Sequence, residues 1–191
     1  MVSTPLIFLG DTHEFVDDFK KQKEAILRFK PEFVLYEKIE DISLKSKKDY
    51  LRIIGNKKVS NMTSFKEVER LVKLCYKKKI KLIGIDFKNF GFDKNFRIKI
   101  KNQEKLSKKE ESKLEKIIKK REKRHIMFIE KYLKKTKKSL VVIIGSWHLR
   151  NDSRLIKTFK NCRTIFPCDR KGNLLIEPSG DEEVFYCEKI K

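Results

Sequence analysis

The chain alternates short, continuous apolar runs with longer stretches in which apolar residues recur every three or four positions. Pro5-Leu-Ile-Phe-Leu-Gly10, Glu32 to Glu37 (EFVLYE), Lys81 to Asp86 (KLIGID) and Ser139 to Gly145 (SLVVIIG) have apolar interiors and end in a glycine or a carboxylate. That pattern suits strands buried on both faces of a parallel sheet. Between them, Phe15, Phe19, Ala25, Ile26 and Phe29 mark one helix that Pro31 ends. Lys38 to Thr63 reads as polar loops around a short helix, and Ser64 with Glu67 forms a capping box for a helix reaching Tyr76. Lys88 to Phe96 reads as a loop in which Phe90, Phe92 and Phe96 serve as packing anchors or, alternatively, as a lid. Ser107 to Lys135 is a long helical pattern with a stripe of Leu114, Ile117, Ile118, Ile126, Ile129, Tyr132 and Leu133. A short helix over Asp152 to Lys160 and a fifth strand over Arg163 to Phe166 follow. The tail reads as a hairpin, Leu174 to Glu177 and Val184 to Glu188, turning at Pro178-Ser-Gly-Asp181.

Strands separated by helical crossovers predict an α/β fold: a mainly parallel central sheet flanked by helices, with an antiparallel C-terminal edge hairpin. At 191 residues the chain suffices for one well-buried core. The expected organisation is one domain over 1–191, including a long basic helix around 107–135 and the C-terminal hairpin within 162–191.

Charge changes the picture less than its size suggests. The formal net charge is +21 and the isoelectric point about 9.8, values that raise polyanionic partners, since clustered Lys and Arg release counterions from phosphate. Here the lysines are spread through nearly every helical stretch, which favours a solvated cationic surface over nucleic acid. Cys75, Cys162, Cys168 and Cys187 lack CxxC spacing, and no secretory leader precedes the first strand. A cytoplasmic, reduced protein is expected. The longest apolar runs, such as Leu140 to Ile144, are too short for membrane insertion.

Candidate chemistry gathers where the strands end. The chain has 7 Gly and 3 His, yet His13 and His148 each stand three residues after a Gly, and both Gly-x-x-His motifs terminate a strongly apolar strand. Open α/β sheets bind ligands beyond the carboxyl ends of their strands, where Asp11, His13, Glu37, Asp86 and His148 would converge. Imidazoles with one or two carboxylates suit a borderline divalent ion, Mn, Co, Zn or Fe, with a position left for water. His125 and Arg124 on the long helix are further candidates, Arg124 because its guanidinium could pair with Glu37 or clamp an anion.

Taken together, IFLGDTH, the acid ending KPEFVLYE, the Arg124-containing helix and VVIIGSWH resemble the TraB/PrgY and Tiki families, within the wider group that includes ChaN-like proteins and erythromycin esterases. The resemblance spans Leu6 to Leu149. It implies His13, Glu37, Arg124 and His148, with His13, Glu37 and His148 as metal-site residues and Glu37 and Arg124 catalytic; Asp11, Asp86 and His125 are additional candidates from the strand ends and the long helix. The Tiki branch implies a metal-dependent peptidase, erythromycin esterases imply lactone hydrolysis, and ChaN-like members imply haem. The expected function is a metal-dependent hydrolase of peptidase or esterase type. Two alternatives stand beside it. Gly10-Asp-Thr-His13 also resembles the first motif of calcineurin-like metallophosphoesterases, with Asp11 and His13 as ligands. The basic helix over 107–135 would alternatively serve a non-enzymatic nucleic-acid-binding protein.

Overall fold

The computed structural model describes residues 5–12, 17–54, 65–102, 104–178 and 182–190. His13, the Ser64 cap and most of the Pro178 to Asp181 turn lie outside them.

Seven strands form one sheet in the order β3-β4-β2-β5-β1-β6-β7. They are β1 (Leu6–Asp11), β2 (Phe33–Tyr36), β3 (Ser43–Leu44), β4 (Lys81–Gly84), β5 (Leu140–Gly145), β6 (Cys162–Cys168) and β7 (Phe185–Ile190). The central five, β4-β2-β5-β1-β6, are parallel throughout, while β3 and β7 run antiparallel at the two edges. The helices are α1 (Phe19–Phe29), α2 (Lys47–Ile54), α3 (Phe65–Lys78), α4 (Lys94–Lys101), α5 (Lys108–Leu133) and α6 (Arg154–Thr158).

Period-two alternation in the strands divides the core into two. Ile7, Leu9, Val34, Tyr36, Val141 and Ile143 point to one face, against Ala25 and Ile26 of α1, Tyr50 of α2 and Leu71, Val72 and Cys75 of α3. Leu6, Phe8, Phe33, Leu35, Val142 and Ile144 point to the other, against Ile129 and Tyr132 of α5 and Leu155 and Ile156 of α6. Both faces are covered, and for that reason these strands are continuous apolar runs.

The local signals work where they have a steric or hydrogen-bonding cause. α1 stops at Lys30, whose backbone is left-handed (φ 45°) and whose N–H bonds the Ile26 carbonyl, one residue before Pro31. α5 opens with a full capping box between Ser107 and Glu110. α6 is capped by Ser153, whose Oγ also donates to the His148 carbonyl at 2.7 Å.

Three expectations need correcting. The stretch from Leu174 to Glu177 is no strand: Leu174 makes a single bridge to Cys168, and the antiparallel partner of β7 is β6. The loop expected over Lys88 to Phe96 turns into α4 at Lys94, because Asp93 caps it by accepting from the Phe96 N–H at 2.9 Å. The cysteines are not all reduced. The β6–β7 register sets Cys168 opposite Phe185 and Phe166 opposite Cys187, so the two cysteines are diagonal neighbours, and they are joined in a disulfide with Cα atoms 5.9 Å apart. Such pairing is invisible to sequence spacing. Among the described residues, no helix is long and apolar enough to cross a membrane.

Candidate metal centre and cleft

The chain leaves the sheet at the carboxyl ends of β2, β4 and β5, and α5 crosses that edge. Glu37 continues the Phe33-Leu35 alternation and so points toward α5. Its Oε2 accepts the Gly145 N–H at 2.7 Å, tying the end of β2 to the end of β5. Asp86 follows β4, with Oδ1 turned back to the Phe87 N–H at 2.7 Å. One oxygen of each carboxylate is thereby fixed by backbone, and the other faces α5.

What meets those two oxygens is Arg121. Its Nε donates to Asp86 Oδ2 at 2.8 Å, one terminal nitrogen lies 2.7 Å from the same oxygen, and that nitrogen also bonds Glu37 Oε1. The guanidinium pairing with Glu37 is therefore Arg121, one turn before Arg124. Arg124 instead donates to the Ile85 carbonyl at 3.2 Å and stacks on Phe87 and Phe128. Its position around the helix carries it past the carboxylates, onto the flank of the sheet edge.

His125, fully buried, enters the same cluster. Its Nε2 lies 3.3 Å from Asp86 Oδ2, and among the described residues neither ring nitrogen has a hydrogen-bond partner. A buried imidazole with both nitrogens unsatisfied is costly unless something completes it. Glu37, Asp86 and His125 each offer one ligand atom, all within 4.8 Å of one another, so the group could hold a metal ion. The donor set, two oxygens and a nitrogen, suits a borderline divalent cation.

His148 reaches the site from the single helical turn after β5. Its Nε2 is 3.6 Å from Glu37 Oε1, its Nδ1 is 3.5 Å from Glu122 Oε1, and its ring packs edge-on against His125 at 5.3 Å. Burial works against the imidazolium, but the Glu122 and Glu37 carboxylates outweigh it and raise its pKa to about 9. The same partnership lowers Glu122. Burial opposes ionisation of Asp86 as well, yet His125 and the Arg121 guanidinium keep its carboxyl below its ordinary value. Three carboxylates, Glu37, Asp86 and Glu122, thus face two cations, Arg121 and protonated His148.

Asp11 does not join this group. It lies on β1 in phase with Ile7 and Leu9, so it points to the opposite face of the sheet. There Lys38 meets it at 2.9 Å, while the Tyr36 hydroxyl and the Gln22 amide lie at 3.3 and 3.4 Å. Lys38 also reaches Glu67, which accepts the Asp18 N–H. Glu37 and Lys38 are adjacent in sequence and anchor the two clusters back to back through the sheet edge. The glycine of the first motif has a packing role: a Cβ on Gly10 would stand 2.8 Å from Pro167 Cδ and 2.9 Å from Ser146 Oγ.

Sequence reasoning thus names Glu37, Asp86, His125 and His148, which the fold brings together, and Asp11 and Arg124, which it places elsewhere. It misses Arg121 and Glu122. The signal for both was the α5 stripe: Ile118, Arg121, Glu122, His125 and Ile129 recur at three- and four-residue intervals. Above the charged groups lies a cleft of about 400 Å³ lined by Phe90, Phe92, Ile118 and Trp147, with Glu37, Arg121, Gly145 and His148 beneath. No known family, curated protein or solved structure matches the chain.

Proposed function

We propose that this protein is a metal-dependent hydrolase of the peptidase or esterase type, acting at the cleft over β2, β4 and β5. The observation that carries the reading is the convergence of Glu37, Asp86 and the unsatisfied His125 ring within 4.8 Å at the carboxyl edge of a parallel sheet. The Tiki-like resemblance of the motifs containing Glu37 and His148 points the same way. Glu37 Oε1, Asp86 Oδ2 and a nitrogen of His125 would hold the ion. A divalent ion there, Mn, Co, Zn or Fe, supplies Lewis acidity toward a carbonyl oxygen and makes a bound water more acidic.

The chain's own groups divide the remaining work. Glu122 and Gly145 are positioning groups, fixing the His148 ring and the Glu37 carboxylate. His148, protonated at neutral pH, faces the cleft through Nε2 and donates a proton to the leaving group as general acid. Arg121 holds the two oxygens that the ion would take and also lines the cleft; a guanidinium released from those oxygens would be available to stabilise negative charge developing on the substrate carbonyl.

A second reading follows from Arg121 itself. A guanidinium already chelated by both carboxylates also suits metal-free acid–base hydrolysis, with Glu37 as base and His148 as acid. Asp11, ion-paired with Lys38 on the other face, gives no support to the phosphoesterase alternative.

Metal content and calorimetric titration with Mn²⁺, Co²⁺ and Zn²⁺, on the protein beside His125→Ala and Asp86→Asn, test the proposal. Near-stoichiometric binding lost in both variants, with chelator-sensitive cleavage of peptide or ester substrates, is expected. Cleavage that survives chelator but not Glu37→Gln selects the metal-free reading. Absence of both binding and cleavage overturns the hydrolase.

A further inference from the structure

The upper half of the cleft is made of carbon. Phe90, Phe92, Ile118 and Trp147 wall a space of about 400 Å³, in the lower part of the range for small-molecule sites. Each aromatic wall is held by its own support. Phe92 meets the buried Phe96 edge-on at 5.6 Å, and Phe90 lies over the Arg121 guanidinium at 5.1 Å. Trp147 stands between an edge contact with His148 at 5.1 Å and the Arg150 guanidinium at 3.8 Å. These walls are preorganised, so a guest need not fix them on arrival.

The segment carrying Phe90 is also strained. Asn89 and Phe90 both adopt φ 53°, and Gly91 follows at φ 77°. Two consecutive non-glycine residues in the left-handed region, one of them bulky, are disfavoured and persist only where surrounding contacts hold them. What the strain achieves is the placement of the Phe90 ring above Arg121, so that apolar wall and charged floor meet at one point.

We infer that the substrate carries an aromatic group beside its scissile carbonyl, and that Phe92, Ile118 and Trp147 hold that group while Glu37, Arg121 and His148 face the carbonyl. The inference rests on the hydrolase reading for the carbonyl and on the cleft alone for the ring. An aromatic ring matches walls of this kind through offset and edge contacts. A charged side chain would lose its hydration there without a compensating partner on the walls.

The chain has a single tryptophan, Trp147, so intrinsic fluorescence reports filling of the cleft with no need for metal or turnover. The protein is titrated in the presence of chelator with N-acetylphenylalaninamide, N-acetylalaninamide and N-acetylaspartic acid amide. A saturable change is expected with the phenyl ligand, at least about tenfold tighter than with the alanyl ligand and weakened about tenfold by Phe92→Ala. Phe92→Leu, which keeps an apolar contact on Phe96, is expected to lie between. Equal response to all three ligands, or phenyl binding unchanged in both Phe92 variants, overturns the inference. Selective phenyl binding without hydrolysis under any ion overturns the hydrolase reading alone. Hydrolysis with no aromatic preference overturns the inference and spares the hydrolase.

Discussion

Arg121 provides the sharpest test, because it is the structural counterion of the site and the group that a cation bound at Glu37 and Asp86 would have to displace. In Arg121→Met, Glu37 and Asp86 keep their burial, at 1% and 0% exposure, and lose the guanidinium that bridges them. Breaking a buried ion pair by removing one partner costs roughly 3–5 kcal/mol, because the surviving charge is left uncompensated. At roughly 2–4 °C per kcal/mol for a chain of this size, the melting temperature should fall by about 6–20 °C. A divalent ion should then reverse much of the loss. It binds the same two oxygens without a competitor, so affinity in the variant should exceed that of the parent by at least about tenfold, and an ion at about 100 times its Kd returns roughly 2.7 kcal/mol. Thermal melts by circular dichroism with Mn²⁺, Zn²⁺ or chelator, paired with calorimetry, read both quantities. Arg124→Met is the control: it removes one carbonyl hydrogen bond and two ring contacts, a loss of about 1 kcal/mol, and leaves ion affinity alone. If Arg121→Met costs under about 1 kcal/mol, or binds ions no better than the parent, the guanidinium is not holding a cation site.

Other outcomes follow from the same geometry. His148 is raised from its ordinary 6.5 to about 9, so its contribution to stability is fully present below about pH 6.5 and disappears as pH rises through 9. The loss should be roughly 3 kcal/mol by urea unfolding of the metal-free protein, and a flat profile matched by His148→Asn would refute the pairing with Glu122 and Glu37. Reduction of Cys168–Cys187, which closes a 19-residue separation, should cost about 3 kcal/mol and free the β7 edge that brings Tyr186 to Asp18; equal melting with and without reductant would contradict it. Gly84→Ala would set a Cβ 2.2 Å from the Glu40 carbonyl oxygen and 2.6 Å from that of Ile42. Because both are backbone atoms, the variant should lose β3 pairing and melt well below the parent, whereas a parent-like melt would mean that this edge yields easily.

How much of this was legible in the sequence follows from which interactions are local. Strands buried on both faces announce themselves as apolar runs, and caps announce themselves by residue type, so the parallel sheet, the start of α5 and the acids ending β2 and β4 could all be read from the chain. Pairing across β6 and β7, including the disulfide, depends on register and could not. The division of the strand-end acids between two clusters is an intermediate case. For Asp11 and Glu37 it follows from period-two phase: Asp11 is in step with Ile7 and Leu9, and Glu37 with Phe33 and Leu35, but the phase means something only once α5 is known to cover the second face. Asp86, in step with Leu82, reaches the α5 cluster because it lies beyond the end of β4, where the alternation no longer applies.

The choice between Arg121 and Arg124 turns on the same kind of count along a helix. Taking Ile129 as the centre of the buried stripe, about 100° per residue puts Glu122 about 20° away, His125 about 40°, Arg121 about 80° and Arg124 about 140°. Apolar residues alone define a stripe that fades before Ile126, because the positions that continue it inward are occupied by an acid, a base and an imidazole. A helix face that stays in phase while its residues change from apolar to charged is a face that enters a polar site. By that criterion Arg121, Glu122 and His125, all within about 80° of Ile129, belong to the site as a set, and Arg124, furthest from that centre at about 140°, belongs to the flank.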